Sequence, residues 1–291
     1  MLLTQRALRT HVRRLPEADG DSGVTAGEGP LLRLLVLGDS TAAGVGAAVQ
    51  REALVGQLAV AVTALTGRPV SWRVAARAGA TVRRIRTRMP NRITEPAERW
   101  QPDLVLIAGT NDALHGRRPR AFRRDMDRLI GDVRLRLGHD VPVVLAGLPE
   151  TDRLDALPRR LRVPLAWYVG LLDRQLKVLA RRLPAVFHIH SGGPPRSPGN
   201  WFATDRFHPS AQGYRAWART LAAGVATLVD PVPRPDTEPA RPTEDAGRLT
   251  GEPGRLARDP GSESELAELL RVALPVLGDL HMEVEKDRRT Q

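Results

Sequence analysis

The stretch LRLLVLGDSTAAGVG, Leu32 to Gly46, decides the fold. Leu34, Leu35, Val36 and Leu37 form an unbroken apolar run. A strand covered on both faces carries such a run, whereas a strand with one wet face alternates. Gly38 ends the run, and Asp39 and Ser40 follow at once. A hydroxyl is thereby set at the carboxyl end of a central strand, the edge at which open α/β sheets hold their ligands. Asp and Ser equally suit a tight turn and a helix N-cap. The stretch alone leaves both readings open. Ser40 becomes reactive only if the rest of the chain supplies a base, an orienting acid and oxyanion donors.

Working outward, four more strand patterns follow: Val70 to Ala76, Asp103 to Ala108, Val141 to Leu148 and Ala185 to His190. Helical spacing of apolar residues marks Gln50 to Leu65, Pro119 to Leu137 and Ala211 to Val229. A short arginine-rich helix spans Val82 to Arg88, and another helix runs from Leu165, after Pro164, to Leu183, before Pro184. Strands alternating with helices of crossover length predict an α/β fold, a five-stranded parallel sheet with helices on both faces. Four strand-end loops, GDS, RAGAT, GTND and the one before TDRFH, then converge on one crevice.

This domain occupies residues 30–230. Residues 1–29 end in EADGDSGVTAGEGP and read as a tail and linker. Leu8, Val12 and Leu15 share one face of a short basic helix there, suited to docking on its own domain or touching a membrane surface. Residues 231–291, dense in Pro, Gly and charge with 9 basic and 13 acidic side chains, read as a disordered acidic linker. An amphipathic pattern from Glu265 to Val284 suggests a terminal helix within it.

Composition narrows the chemistry. The chain of 291 residues has no cysteine, which excludes disulfides, thiolate metal sites and thiol nucleophiles. No apolar run reaches the ~20 residues of a membrane span, and the N-terminus lacks a signal-peptide core, so a cytoplasmic location is expected. The formal charge of +11 raises the question of nucleic acid. All but two of the 44 basic residues are arginine, in an Ala-, Gly- and Pro-rich chain, which fits a coding bias. No helix-turn-helix, zinc finger or aromatic RNA-binding strand accompanies them, so nucleic acid is not the expected partner.

Among seven histidines, His208 stands out because Asp205 lies three residues before it in TDRFHPS. In a tight turn that spacing lets the carboxylate meet one imidazole nitrogen while the other faces a hydroxyl. The same residues also suit a turn and a helix start. Gly79 can bring a backbone N–H close to a ligand, and Asn111 can offer a side-chain amide. A strand-to-helix turn and an Asx-turn with Asp112 account for them equally well one at a time.

Together, GDSTAAG, RAGAT, GTND and DRFHPSAQGY, in that order and each at a strand end, resemble the SGNH (GDSL-type) hydrolase family. The resemblance covers about Leu31 to Val229 and extends to actinobacterial GDSL-like members in the GDSTAAGVG opening. It implies a flavodoxin-like three-layer α/β/α sandwich with sheet order 2-1-3-4-5. It implies Ser40 as nucleophile, His208 as base and Asp205 as its orienting acid. Gly79, Asn111 and the Ser40 N–H are the implied oxyanion hole. Esters, and in some members thioesters or O-acetyl groups, are the implied small-molecule or lipid substrates, with no metal or other cofactor. The block Ala78-Gly79-Ala80 departs from the pattern, since many members carry a polar residue just before the glycine.

Three further expectations concern specificity and rivals. Trp201 and Phe202, just before Asp205, line an acyl pocket or pack in the core. Arg83, Arg84, Arg86 and Arg88 border the crevice and favour an anionic group, or form a solvated helix face. A metallophosphoesterase would need a His/Asp cluster around two metals. His188 and His190 share a strand face and are expected to have no acidic partner nearby, which favours a packed or exposed face over a metal site. A non-catalytic binding module on the same fold is the remaining alternative.

Overall fold

The computed structural model describes residues 13–88, 100–151, 154, 156, 159–194 and 199–229. The expected N-terminal helix face through Leu8 and Val12 and the acidic segment 231–291 lie outside the described residues. Leu15 is in non-helical chain.

A six-stranded sheet forms the middle layer. Its strands are β1 (Ser22–Val24), β2 (Leu32–Gly38), β3 (Val70–Ala76), β4 (Leu104–Ala108), β5 (Val143–Ala146) and β6 (Val186–Ile189). The order is β1-β3-β2-β4-β5-β6. Strands β2 to β6 are all parallel and reproduce the order 2-1-3-4-5. The sixth strand is a correction. β1, inside the supposed tail, pairs antiparallel with β3, Gly23 opposite Trp72. Three residues with no apolar run give no periodicity to read. They pair because β3 would otherwise be an open edge. Gly23 is required there, since a Cβ would fall 2.4 Å from the Trp72 ring.

The helices are α1 (Leu54–Thr66), α2 (Val82–Arg88), α3 (Asn111–Leu114), α4 (Pro119–Leu137), α5 (Arg159–Arg182) and α6 (Ala211–Val229). Pro164 lies inside α5 rather than before it. In the second turn it removes one backbone donor, a cost that the long apolar face of Leu165, Val169, Leu172 and Leu176 outweighs.

The continuous apolar run of β2 now has its reason. Leu35 and Leu37 face one side, packing with Ile85, Phe122, Met126, Ile130 and Leu172 of α2, α4 and α5. Leu34 and Val36 face the other, packing with Leu54, Leu58, Trp217 and Leu221 of α1 and α6. All four side chains are at most 1% exposed. Burying each contributes about 2 kcal/mol, so neither face of β2 tolerates a polar residue. The chain leaves β2 for β3 on one side and later returns to β4 on the other. Ser40 therefore sits where strand order reverses, the point at which such sheets open a crevice.

Candidate active site

Two glycines let backbones close around the end of β2. A Cβ on Gly38 would lie 2.0 Å from the Ala108 carbonyl oxygen, and the neighbouring Asp39 N–H donates to that oxygen at 3.2 Å. Gly46 has φ +103°, and a Cβ there would lie 2.2 Å from the Pro209 carbonyl oxygen. The loop after Ser40 and the loop carrying His208 are thus in backbone contact. The buried Tyr214 hydroxyl seals the junction by donating to the Val45 carbonyl at 2.8 Å.

The TDRFHPS turn is held from within. Asp205 Oδ1 accepts the N–H groups of Phe207 and His208, each at 3.0 Å. Arg206 takes a left-handed conformation, φ 57°, to bring them round. Ser210 caps α6, accepting the Gly213 N–H on its hydroxyl at 3.1 Å. The turn presents His208 with Nδ1 2.6 Å from Asp205 Oδ2 and Nε2 3.1 Å from Ser40 Oγ. Burial pushes the Asp205 carboxyl up. The hydrogen bond from His208 and the two N–H donors outweigh it and hold the group below the usual carboxylate range. An ionised carboxylate only accepts, so Nδ1 carries the imidazole proton and Nε2 is left as acceptor for the Ser40 hydroxyl.

Asp39 does more than brace its own turn. Its Oδ1 accepts the Thr41 N–H and hydroxyl, both at 3.0 Å. Its Oδ2 accepts the Thr110 N–H at 2.6 Å and the Asn111 N–H and side-chain amide at 3.1 Å. Five donors on one buried carboxylate bind the GDS and GTND loops into a unit. One N–H of the Asn111 amide is committed to Asp39, and the other remains for the cavity that Asn111 lines with Ser40.

Gly79 has φ +76°, a conformation that suits glycine. Its loop is anchored beside β2 by the Arg77 N–H to Gly38 carbonyl bond, 3.2 Å. Glu17 takes the Ala78 N–H at 2.8 Å, and Arg77 takes that of Ala80 at 3.1 Å. Gly79 does not line the cavity at Ser40. Asp112 joins this loop to GTND by accepting the Val82 N–H at 2.7 Å. Burial, with Asp125 and Asp39 nearby, raises the Asp112 carboxyl to about 6, against the Val82 N–H.

Beside Ser40 lies a cavity of about 50 Å³. Ser40, Asn111 and His208 line it, as do Trp201 and Phe202, whose rings meet edge-on at 4.9 Å. Its apolar wall includes Ala113, Leu114, Val169 and Phe207, and Glu150 and Thr151 belong to its lining too. Thr41 and Thr110 stood inside the quoted motifs. Glu150 and Val169 carried no signal, because nothing local in sequence ties them to Ser40.

Of the two readings for the arginines after Gly79, the described side chains fit the solvated helix face. Arg86 pairs with Asp132 at 2.7 Å, Arg83 and Arg84 are exposed, with Arg84 donating to the Gly79 carbonyl at 3.4 Å, and among the described residues no arginine lines the cavity. The side chain of Arg88 lies outside the described residues. His188 has an acidic partner after all: its Nε2 is 2.8 Å from Asp173 Oδ1. The partner comes from α5, fifteen residues earlier. Asp173 also accepts the Leu148 N–H at 3.0 Å and pairs with Lys177 at 2.9 Å. Burial pushes Asp173 up, but His188, Lys177 and Leu148 together hold it down at about 2. The pair ties β6 to α5. Among the described residues no group of three or more His, Asp or Glu side chains is placed to hold a metal ion. Among them, too, no helix is long and apolar enough to cross a membrane.

The fold and this arrangement define a three-layer α/β/α protein with a serine at a strand end. The profile of the GDSL-like lipase/acylhydrolase family matches residues 36–216, and the chain belongs to that family. It is accordingly a hydrolase of ester bonds. Solved structures share the fold. The lipase Lip_vut3 from a goat rumen metagenome is 21% identical, with TM-score 0.53, over 66% of this chain and 96% of that one. TesA is 19% identical, with TM-score 0.50, over 67% and 99%. A family 3 carbohydrate esterase from Clostridium thermocellum is 15% identical, with TM-score 0.50, over 68% and 98%. Comparison with the curated proteins gives no match.

Proposed function

We propose that the chain is a serine acylhydrolase that cleaves carboxylic esters through an acyl-enzyme. The observation that carries this reading is the relay Ser40 Oγ, His208 Nε2, His208 Nδ1, Asp205 Oδ2, with contacts of 3.1 and 2.6 Å. His208 takes the Ser40 proton as Oγ attacks the ester carbonyl. The imidazolium that forms is stabilised by the ionised Asp205. The alcohol leaves with the proton from Nε2. Water, deprotonated by the same nitrogen, then releases the acid and restores Ser40. The oxyanion of each tetrahedral species is held by the Ser40 N–H, the free Asn111 amide N–H and the Gly79 N–H. Asn111 has the firmer support, because Asp39 fixes its amide at the cavity. For Gly79, which is outside the lining of the cavity, the support is the family resemblance and the anchorage of its loop beside β2.

Hydrolysis of p-nitrophenyl acetate tests the reading. Ser40→Ala and His208→Ala are each expected to lower kcat by about 10⁴ or more. Undiminished turnover by either variant contradicts it.

A further inference from the structure

The size and lining of the cavity bear on which esters are taken, resting on the serine reading above. We propose that the substrates are esters of short acids, with about two to four acyl carbons, and that long-chain lipid esters are excluded.

Volume is the first observation. The room beside Ser40 amounts to about 50 Å³. An apolar cavity of roughly 150 Å³ takes a benzene ring. A third of that encloses an acetyl, propionyl or butyryl tail and little more. The wall is made of Ala113, Leu114, Val169, Phe202 and Phe207. Ala113 and Val169, the latter on α5, belong to the packed core, with Ala113 at 0% and Val169 at 4% exposure. Such a wall does not yield to extra methylenes without cost. Up to the wall, each acyl carbon gains about fourfold in kcat/KM from burial. Beyond it, added carbons gain nothing and clash or stand in water.

The second observation is polar. Glu150, exposed at the same cavity, gives it an acidic polar edge rather than a greasy one. The alcohol part is left outside the enclosure, toward Glu150 and solvent.

The test is kcat/KM for p-nitrophenyl esters from acetate to dodecanoate, with the full chain. The expected result is a maximum between two and four acyl carbons and at least a tenfold loss by eight. Val169→Ala and, at a half-buried position, Leu114→Ala are expected to shift the maximum toward longer chains by one to three carbons. A maximum at eight carbons or beyond, or a flat series, overturns the size inference while the serine reading stands. No turnover at any length, with no fluorophosphonate adduct on Ser40, overturns the serine reading and this inference with it.

Discussion

The Asn111 side-chain amide donates to Asp39 Oδ2 at 3.1 Å, and the same oxygen accepts the Asn111 backbone N–H. Two bonds from one residue to one buried oxygen fix both the position and the rotation of the amide. Asp39 is thereby a positioning residue for the second N–H of Asn111.

Asn111→Ala removes that donor and is expected to cost on the order of 10²–10³ in kcat. Asp39→Asn places an amide NH₂ where five donors converge, so one side of the brace must give way. It should lower kcat by tenfold or more with little change in KM. In Asp39→Asn/Asn111→Ala the two losses should not add, because both act through one amide. Fully additive losses would show that Asp39 acts elsewhere. Steady-state kinetics normalised to burst-titrated sites makes the comparison.

Gly46 keeps the His208 loop against the Ser40 loop. Gly46→Ala puts a Cβ within 2.2 Å of the Pro209 carbonyl oxygen at φ +103°, so the loops must part. A displacement of about 1 Å between Ser40 and His208 is expected to cost roughly 10²-fold in acylation. Stopped-flow acylation by a p-nitrophenyl ester reads this directly.

The Asp112 carboxyl, raised to about 6 from 3.8, prefers to be neutral in the folded state. The folded state therefore holds the proton more tightly than the unfolded one. Stability at this site is greatest at low pH and declines as pH rises through about 4 to 6. Asp112→Asn removes the buried charge while its carbonyl can still accept the Val82 N–H. Its Tm is expected to exceed that of wild type by a few degrees at pH 8 and to match it near pH 4. Differential scanning calorimetry at the two values decides.

Asp173 has the opposite sign. Its carboxyl, lowered to about 2, favours the folded state wherever it is ionised. That contribution is complete above about pH 4 and is lost as pH falls toward 2. Asp173→Asn should be destabilised at pH 6, and its deficit relative to wild type should shrink as pH falls toward 2. A deficit constant with pH would remove the charge from the explanation.

Much of the site was legible because each part is local. GDS, GTND and D-x-x-H carry Ser40, Asn111, Asp205 and His208 in windows of a few residues, and the parallel sheet brings their loops to one edge. β2 was legible because its two buried faces write an unbroken apolar run. What the sequence does not mark is non-local. β1 exists only as the partner of the β3 edge. The Asp173–His188 pair joins a helix to a strand, and neither residue marks the other. Asp39 is marked in sequence only as a turn residue, since its bonds to Thr110 and Asn111 cross some seventy residues. The arginines after Gly79 fit the solvated helix face, Arg86 turning to Asp132 and Arg83 and Arg84 to solvent, while Glu150 of the cavity carries no local signal.

The relay from Asp205 through His208 to Ser40 is tested most directly by reacting the folded chain with a fluorophosphonate and locating the adduct by mass spectrometry. A single adduct on Ser40 is expected, absent in Ser40→Ala and formed at least a hundredfold more slowly in His208→Ala. An unlabelled folded chain, or equal labelling of Ser40→Ala, would contradict the account.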